Sequence, residues 1–261
     1  MSGLEIYPTQ EFVDGLDGLI RGRIQVAQPV ERLSHSPDIL LQLVEEEDGR
    51  QFVTRSFTRR AVNEVEACGR NFEEVWDCMQ ETFRMAGISP VRTEIAINDY
   101  DSVAQNPVVM VSEYLAHSHP IIEASTQTKV DLAARLPRLF RGYGGLKIHS
   151  PVLQRDMFRF VTTETGEEAV VLMDVDPRMV ETHWLNEDGL IAYYIERFGD
   201  LLWQEWCTPE ERTEVLTQFI KSAGTVVEDK LDDPNNVVFR AFFNVHTLSQ
   251  GIDYREHGLY T

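Results

Sequence analysis

The order of predicted elements gives an α+β protein of two lobes, a small antiparallel-sheet lobe with one long helix followed by a mainly helical lobe. Three observations predict it. Strand patterns fill the first 115 residues, one long amphipathic stretch over 59–86 sits between them, and helical periodicity dominates from Asn186 onward. The boundaries expected are 1–115 for the small mixed lobe and 116–261 for the mainly helical lobe with a short β-hairpin, the two forming one compact unit.

Met1–Pro37 is poorly periodic, with one alternating piece at Arg23-Ile24-Gln25-Val26. Asp38–Phe57 reads as a hairpin: Ile39–Val44, a turn containing Asp48-Gly49, and Gln51–Phe57 in return. Thr58 is placed to cap a helix over Arg59–Ala86. There Val62, Val65, Phe72, Val75, Trp76, Met79 and Phe83 recur at spacings of three and four, which makes one apolar face. Gly69 weakens its middle and Gly87 suits its C-terminal end. Val91–Ile97 and Val108–Leu115 are the next strands, with a polar loop at Asn98–Asn106.

Lys129–Tyr143 reads as a helix with a break at Pro137, because proline removes a donor and clashes with the preceding turn. Val152–Thr162 and Ala169–Asp174 read as two strands around Glu164-Thr165-Gly166-Glu167. Helices are predicted over Asp188–Trp206, Pro209–Ala223 with Thr208 as cap, and Asn236–Leu248.

The sharpest chemical signal is Val170-Val171-Leu172-Met173-Asp174-Val175-Asp176, followed by Pro177. Four apolar residues make a buried strand, and two carboxylates arrive at its C-terminal end. Asp174 and Asp176 are hard oxygen donors of the kind that hold a divalent cation against a phosphate. The plainer reading is that they cap a turn before the next helix. Alone, the pair also fits the metal site of nucleotide-sugar glycosyltransferases. That fold requires alternating strands and helices upstream, and residues 1–115 do not show them.

Read together, several segments resemble the protein-kinase-like fold, including small-molecule kinases of the aminoglycoside phosphotransferase type. Phe52-Val53-Thr54-Arg55 is similar to the third strand of the small lobe, with Arg55 where that family usually carries Lys. The long helix resembles helix C, whose acid falls at Glu64, Glu73 or Glu74. Val109–Leu115 resembles the hinge strand, so that Glu113, Tyr114 and Leu115 are expected to meet adenine through backbone groups. Gln154-Arg155-Asp156 resembles the catalytic loop, and Leu172-Met173-Asp174 the metal-binding Asp. The resemblance implies ATP and Mg²⁺ as cofactors, with Asp156 as general base and Arg55 and Glu73 near the phosphates. Asp174 is the implied metal ligand, and Asp176 supplies a second oxygen. It also marks three departures. No Gly-x-Gly-x-x-Gly precedes the hairpin, Arg replaces Lys, and the second metal ligand would fall at Val161. A phosphotransferase acting on an unknown small-molecule or protein acceptor and a non-catalytic, pseudokinase-like binding protein are both open at this point.

The formal net charge is -19, from 43 acids against 24 bases. Such a surface repels nucleic-acid phosphates and anionic lipid, so no nucleic-acid or membrane partner is expected. The basic residues Arg135, Arg138, Arg141 and Lys147 are too few to reverse that. Cys68, Cys78 and Cys207 form no Cys-x-x-Cys pair and read as free thiols. With no apolar run of membrane-spanning length and no leader pattern, the expectation is a cytoplasmic protein. His117 and His119 lie in a polar loop, which suits hydrogen bonding better than zinc. Trp203, Trp206, Tyr193, Tyr194 and Phe198 recur at helical spacing and read as core.

Overall fold

The structure is a computed structural model, and it describes residues 29–32, 38–45, 49, 51–97, 108–141, 147–148, 157–173, 177–181 and 187–253. The chain divides into two units. One comprises Met1–Val75 and Val91–Ala116, the other Trp76–Pro90 and His117–Thr261.

The first unit is built on a five-stranded antiparallel sheet. Its strands are β1 (Pro29–Arg32), β2 (Ile39–Glu45), β3 (Gln51–Phe57), β5 (Thr93–Ile97) and β6 (Val108–Glu113), in the order β1-β2-β3-β6-β5. The two-residue β4 (Ser89–Pro90) precedes β5 in the chain and belongs to the other unit. Register sets the faces. Leu41 opposes Arg55, which opposes Met110 on β6. Because alternate residues share a face, Val53, Arg55 and Phe57 lie on one side and Phe52, Thr54 and Ser56 on the other. Both sides are buried along β3, with Phe52 and Phe57 each in the core.

The predicted single helix is two helices, α1 (Arg59–Glu66) and α2 (Phe72–Met85). Gly69 accounts for the break, since its φ of +81° is left-handed and cannot continue a helix. Asn71 then restarts the chain with a capping box. Its Oδ1 accepts from Glu74 N at 2.9 Å, and Glu74 Oε2 accepts from Asn71 N at 3.1 Å. At the other end, Thr58 caps α1 as the sequence indicates, accepting from Ala61 N. Phe57 packs edge-on to Phe72, with centroids 5.1 Å apart.

The second unit joins a small sheet to a helical array. Its sheet contains β4, β7 (His119–Pro120), β9 (Phe158–Thr162) and β10 (Glu168–Leu172), in the order β4-β10-β9-β7. A separate two-stranded pairing joins β8 (Lys147–Ile148) to β11 (Val180–Glu181). The helices are α3 (Thr126–Arg135), α4 (Glu187–Asp200), α5 (Arg212–Val226) and α6 (Val237–Ser249). Pro137 ends the predicted 129–143 helix early, and Leu136–Arg141 continues as a 3-10 turn. The predicted 188–206 helix changes pitch instead, running on from α4 as a π-helical segment over Leu201–Trp206. Glu168 ties the hairpin to α3, its Oε2 accepting from Ser125 N at 2.8 Å and Ser125 Oγ at 2.7 Å.

Of the aromatic run read as core, three residues are core and two, Tyr193 and Trp203, are half-buried. Tyr194, Phe198 and Trp206 are fully buried. Phe140, Tyr194 and Phe198 stack in series, and Phe198 meets Phe219 edge-on. α4 crosses α6 closely enough that a Cβ on Gly199 would sit 2.7 Å from Val245 methyls. No helix among the described residues is long and apolar enough to cross a membrane.

Candidate functional site

Among the described residues, Arg55 is the one predicted site residue that is buried, at 6% exposure in the middle of β3. A charged guanidinium in a sheet core is costly unless hydrogen bonds receive it. Part of the reception is a directed relay. Arg55 Nη1 donates to Ser112 Oγ at 3.4 Å, Ser112 Oγ lies 2.8 Å from Thr93 Oγ1, and Thr93 Oγ1 donates to Val91 O at 3.0 Å. Each hydroxyl has one proton. Since that of Thr93 goes to Val91 O, Ser112 donates to Thr93 and accepts from Arg55. Pairing explains the geometry: Thr93 opposes Ser112 across β5–β6, and Val53 opposes Ser112 across β3–β6, which leaves Arg55 on the diagonal. Sequence reasoning singled out neither Thr93 nor this role for Ser112. A signal existed in their small hydroxyls amid strands otherwise rich in Val, Ile and Met.

The three acids considered for the long helix take separate places. Glu74 serves the capping box, Glu64 pairs with Arg60 at 3.3 Å, and Glu73 is exposed in the first turn of α2. No ion pair joins Glu73 to Arg55 among the described residues. At the end of β6, the Glu113 N–H donates to Arg92 O at 3.0 Å and the Tyr114 N–H to Gln51 O at 3.2 Å. Leu115 follows, half-buried in a loop. A base docking on this segment must therefore use backbone groups other than those two N–H donors.

Asp156, Asp174 and Asp176 lie outside the described residues. What is described is the hairpin between them. β9 and β10 pair from Glu168 opposite Thr162 to Leu172 opposite Phe158, and Met173 N then donates to Met157 O at 2.8 Å. Met157 and Met173 are the chain neighbours of Asp156 and Asp174. Val161 is a residue of β9 opposite Ala169. Among the described residues, no group of three or more His, Cys, Asp or Glu side chains is arranged to hold a metal ion.

Four further ionisable groups, Lys129, Glu211, Cys207 and His119, are structural. Lys129, 1% exposed, donates to Glu211 Oε2 at 2.7 Å and Ile122 O at 2.8 Å. Burial raises the Glu211 carboxyl, but Lys129, the Thr208 N–H and the Thr126 hydroxyl outweigh it and hold the group below the usual carboxylate range. Next to it, burial pushes the Cys207 thiol up to about 12, which excludes it as a thiolate nucleophile near neutral pH. His119, expected in a loop, lies instead in β7 opposite Phe160; its ring is tilted 33° to that of Phe160 and 3.6 Å from Glu123, so it serves packing and pairing.

No family model matches this chain, and no curated protein does. Solved structures do. WaaP in complex with acyl carrier protein is 11% identical, covering 85% of this chain and 90% of that chain at a TM-score of 0.52. Amicoumacin kinase hAmiN in complex with AMP-PNP, Ca²⁺ and Ami is 12% identical over 86% of this chain and 82% of that chain, with a TM-score of 0.46. The Rio2 kinase-ADP/Mg²⁺-phosphoaspartate complex from Chaetomium thermophilum is 12% identical over 86% and 72%, with a TM-score of 0.43. At such identities the likeness carries the fold. The fold is protein-kinase-like: a small antiparallel-sheet unit and a largely helical unit.

Proposed function

We propose that this kinase-like chain is a phosphotransferase that uses ATP and Mg²⁺ on an acceptor of unknown class. The observation that carries the reading is the β9–β10 hairpin. Its last rung joins Met157 and Met173, the residues next in sequence to Asp156 and Asp174. The two acids, 18 positions apart in sequence, are the next residues along the chain from that rung. Arg55 adds a buried cation on the third strand of the sheet, a group suited to phosphate oxygens.

In this reading Asp156 accepts the proton of the acceptor group as its oxygen or nitrogen attacks the γ-phosphorus of ATP and the bond from that phosphorus to the β,γ-bridging oxygen breaks, releasing ADP. Asp174 and Asp176, both hard carboxylate donors, would hold Mg²⁺, which supplies neutralisation of phosphate charge when bound. Arg55 holds phosphate oxygens, with Ser112 and Thr93 fixing the direction of its guanidinium. Glu113–Leu115 provide backbone groups for the base, and Glu73 is the acid assigned to the helix beside the sheet. Among the described residues the strand pairings are antiparallel apart from the two-residue β4–β10 pairing, which favours the kinase-like reading over the glycosyltransferase alternative.

A second reading has its own support. Val161 stands in a strand where the resemblance expects a second metal ligand, and Arg replaces Lys at 55. Both favour a protein that holds nucleotide without transferring phosphate. The discriminating experiment measures ATP consumption against a panel of hydroxylated and aminated acceptors, beside nucleotide binding. The phosphotransferase reading expects turnover in wild type and a loss of roughly 10²–10⁴-fold in Asp156→Asn with binding retained. Binding with no turnover in wild type assigns the chain to the non-catalytic reading. No nucleotide binding at all discards both.

A further inference from the structure

We infer that the outer face of α6 is a docking surface for a protein segment with basic residues at one end and apolar side chains at the other. The inference stands apart from the phosphotransfer reading. α6 is covered on two sides: Val245 meets Gly199 of α4, and Phe242 meets Gly224 of α5. The remaining side carries an exposed aromatic. Phe243 is 53% exposed, and Ile252 just beyond the helix is 45% exposed; Val237, 39% exposed in the first turn, lies six residues from Phe243 and so about 120° round the helix from it. Phe239 stacks on Phe243 with centroids 6.3 Å apart and planes 8° from parallel, so the pair presents a broad, ordered aromatic surface. Large apolar side chains clustered at i and i+4 on a solvent face mark recognition surfaces more often than isolated exposed ones do.

What flanks this face determines the occupant. The chain entering α6 carries Glu228, Asp229, Asp232 and Asp233, all exposed, and Glu187 lies exposed at the start of α4. Lys230 there is already engaged, its Nζ 2.6 Å from Asp188 Oδ1. Asp188 also receives Asn236 Nδ2 at 3.0 Å, so this acidic corner is fixed to the first turn of α6. α6 begins at Val237, so Asp233–Asn236 precede the helix and the helical path from Val237 to Phe243 is six residues, roughly 9 Å. The surface is thus bipartite, with carboxylates before the first turn and the Phe239–Phe243 stack within the first two turns. Arg240 is the only basic residue on the exposed stretch between them. A partner segment with Lys or Arg at one end and Leu, Phe or Trp farther along complements both halves. A second copy of a chain with a formal net charge of -19 does not, and neither does an anionic membrane or nucleic acid.

The test selects a phage-displayed library of random peptides of about twelve residues, matched to the span of the face, on the wild-type chain. The leading sequence is then synthesised and its affinity measured for wild type, Phe243→Ser, Val237→Ser and the triple variant Glu228→Gln, Asp229→Asn, Asp232→Asn. The expected consensus joins two or more Lys or Arg to an aromatic or Leu. Its affinity should fall about tenfold or more in Phe243→Ser and weaken with salt in wild type but little in the triple variant. All changes are at exposed positions, and thermal melts establish that each variant folds; Val237→Ser, about 120° round the helix from the aromatic stack, is the control, and the salt dependence in the triple variant carries the test if Phe243→Ser does not fold. No enriched sequence, or a peptide that binds Phe243→Ser and the triple variant as tightly as wild type, overturns the inference. So does sedimentation showing a wild-type dimer that Phe243→Ser dissolves, which would give the face to a second copy.

Discussion

The two units bury polar groups in different ways. In the sheet unit, Gln42, Thr54 and Ser56 are fully buried on one face, and their side-chain polar atoms have no hydrogen-bond partner among the described residues. Register puts Gln42 opposite Thr54, with Ser56 two residues on, so the three form one patch. In the helical unit, Lys129 is buried to the same degree but meets a carboxylate and a carbonyl, and the carboxylate meets two further donors. The difference teaches that depth alone does not fix what a polar residue contributes. A satisfied pair holds its surroundings together, whereas unpartnered groups cost stability and can be replaced.

The largest effect should come from breaking the satisfied pair. Glu211→Gln leaves the Lys129 ammonium buried without its counter-charge, and the expected loss is about 3–5 kcal/mol by chemical denaturation. The pair also sets a pH dependence. The folded-state pKa of Glu211 lies below its unfolded value, so its contribution is fully present above the ordinary carboxylate range. That contribution is lost as pH falls through the folded value. Melting curves should show an acid-side loss in wild type that is smaller in Glu211→Gln.

Next in size is the helix crossing. Gly199→Ala drives a methyl into Val245, and overpacking of this kind costs about 1–3 kcal/mol. Adding Val245→Ala should recover part of the loss, and a double-mutant cycle that shows strict additivity would contradict the contact.

Within the sheet, Ser112→Ala removes the acceptor for Arg55 and the donor to Thr93. At 3.4 Å the Arg55 bond is long, so the expected loss is at the low end of charged hydrogen bonds, about 1.5 kcal/mol. The smallest effect, and the one that sharpens the comparison most, is Thr54→Val. It keeps the shape and removes an unpartnered hydroxyl, so stability should stay level or rise by up to about 1 kcal/mol. A loss above that in Thr54→Val would show that the patch is satisfied after all and that the two units are alike.

Much of this architecture was legible in the sequence because it rests on period and turn chemistry. The β2–β3 hairpin, the β9–β10 hairpin, the β6 strand and the bodies of the three C-terminal helices lie where alternation and 3.6-residue spacing place them; Asn236 caps α6, but α5 begins at Arg212 after a turn and without the cap expected from Thr208. The helix over 59–86 was legible only in part. Apolar spacing carries across residues 67–71, but backbone conformation at Gly69 does not, and a capping box restarts the helix there. The π-helical end of α4 left no local signal, since its residues are good helix formers and the change of pitch belongs to packing. Two-residue strands such as β4 and β7 depend on partners far away in sequence and have no period to read. At the candidate site, Arg55 stood out by position, but its hydroxyl relay required the register of three strands. Asp156, Asp174 and Asp176 were named from sequence and lie outside the described residues.

The most direct test of the phosphotransferase reading is calorimetric titration of ATP with and without Mg²⁺, in wild type and in Asp174→Ala. The prediction is that wild type binds ATP, that Mg²⁺ strengthens the binding, and that Asp174→Ala abolishes the strengthening. An absence of ATP binding in wild type, or a Mg²⁺ effect undiminished in Asp174→Ala, would contradict it.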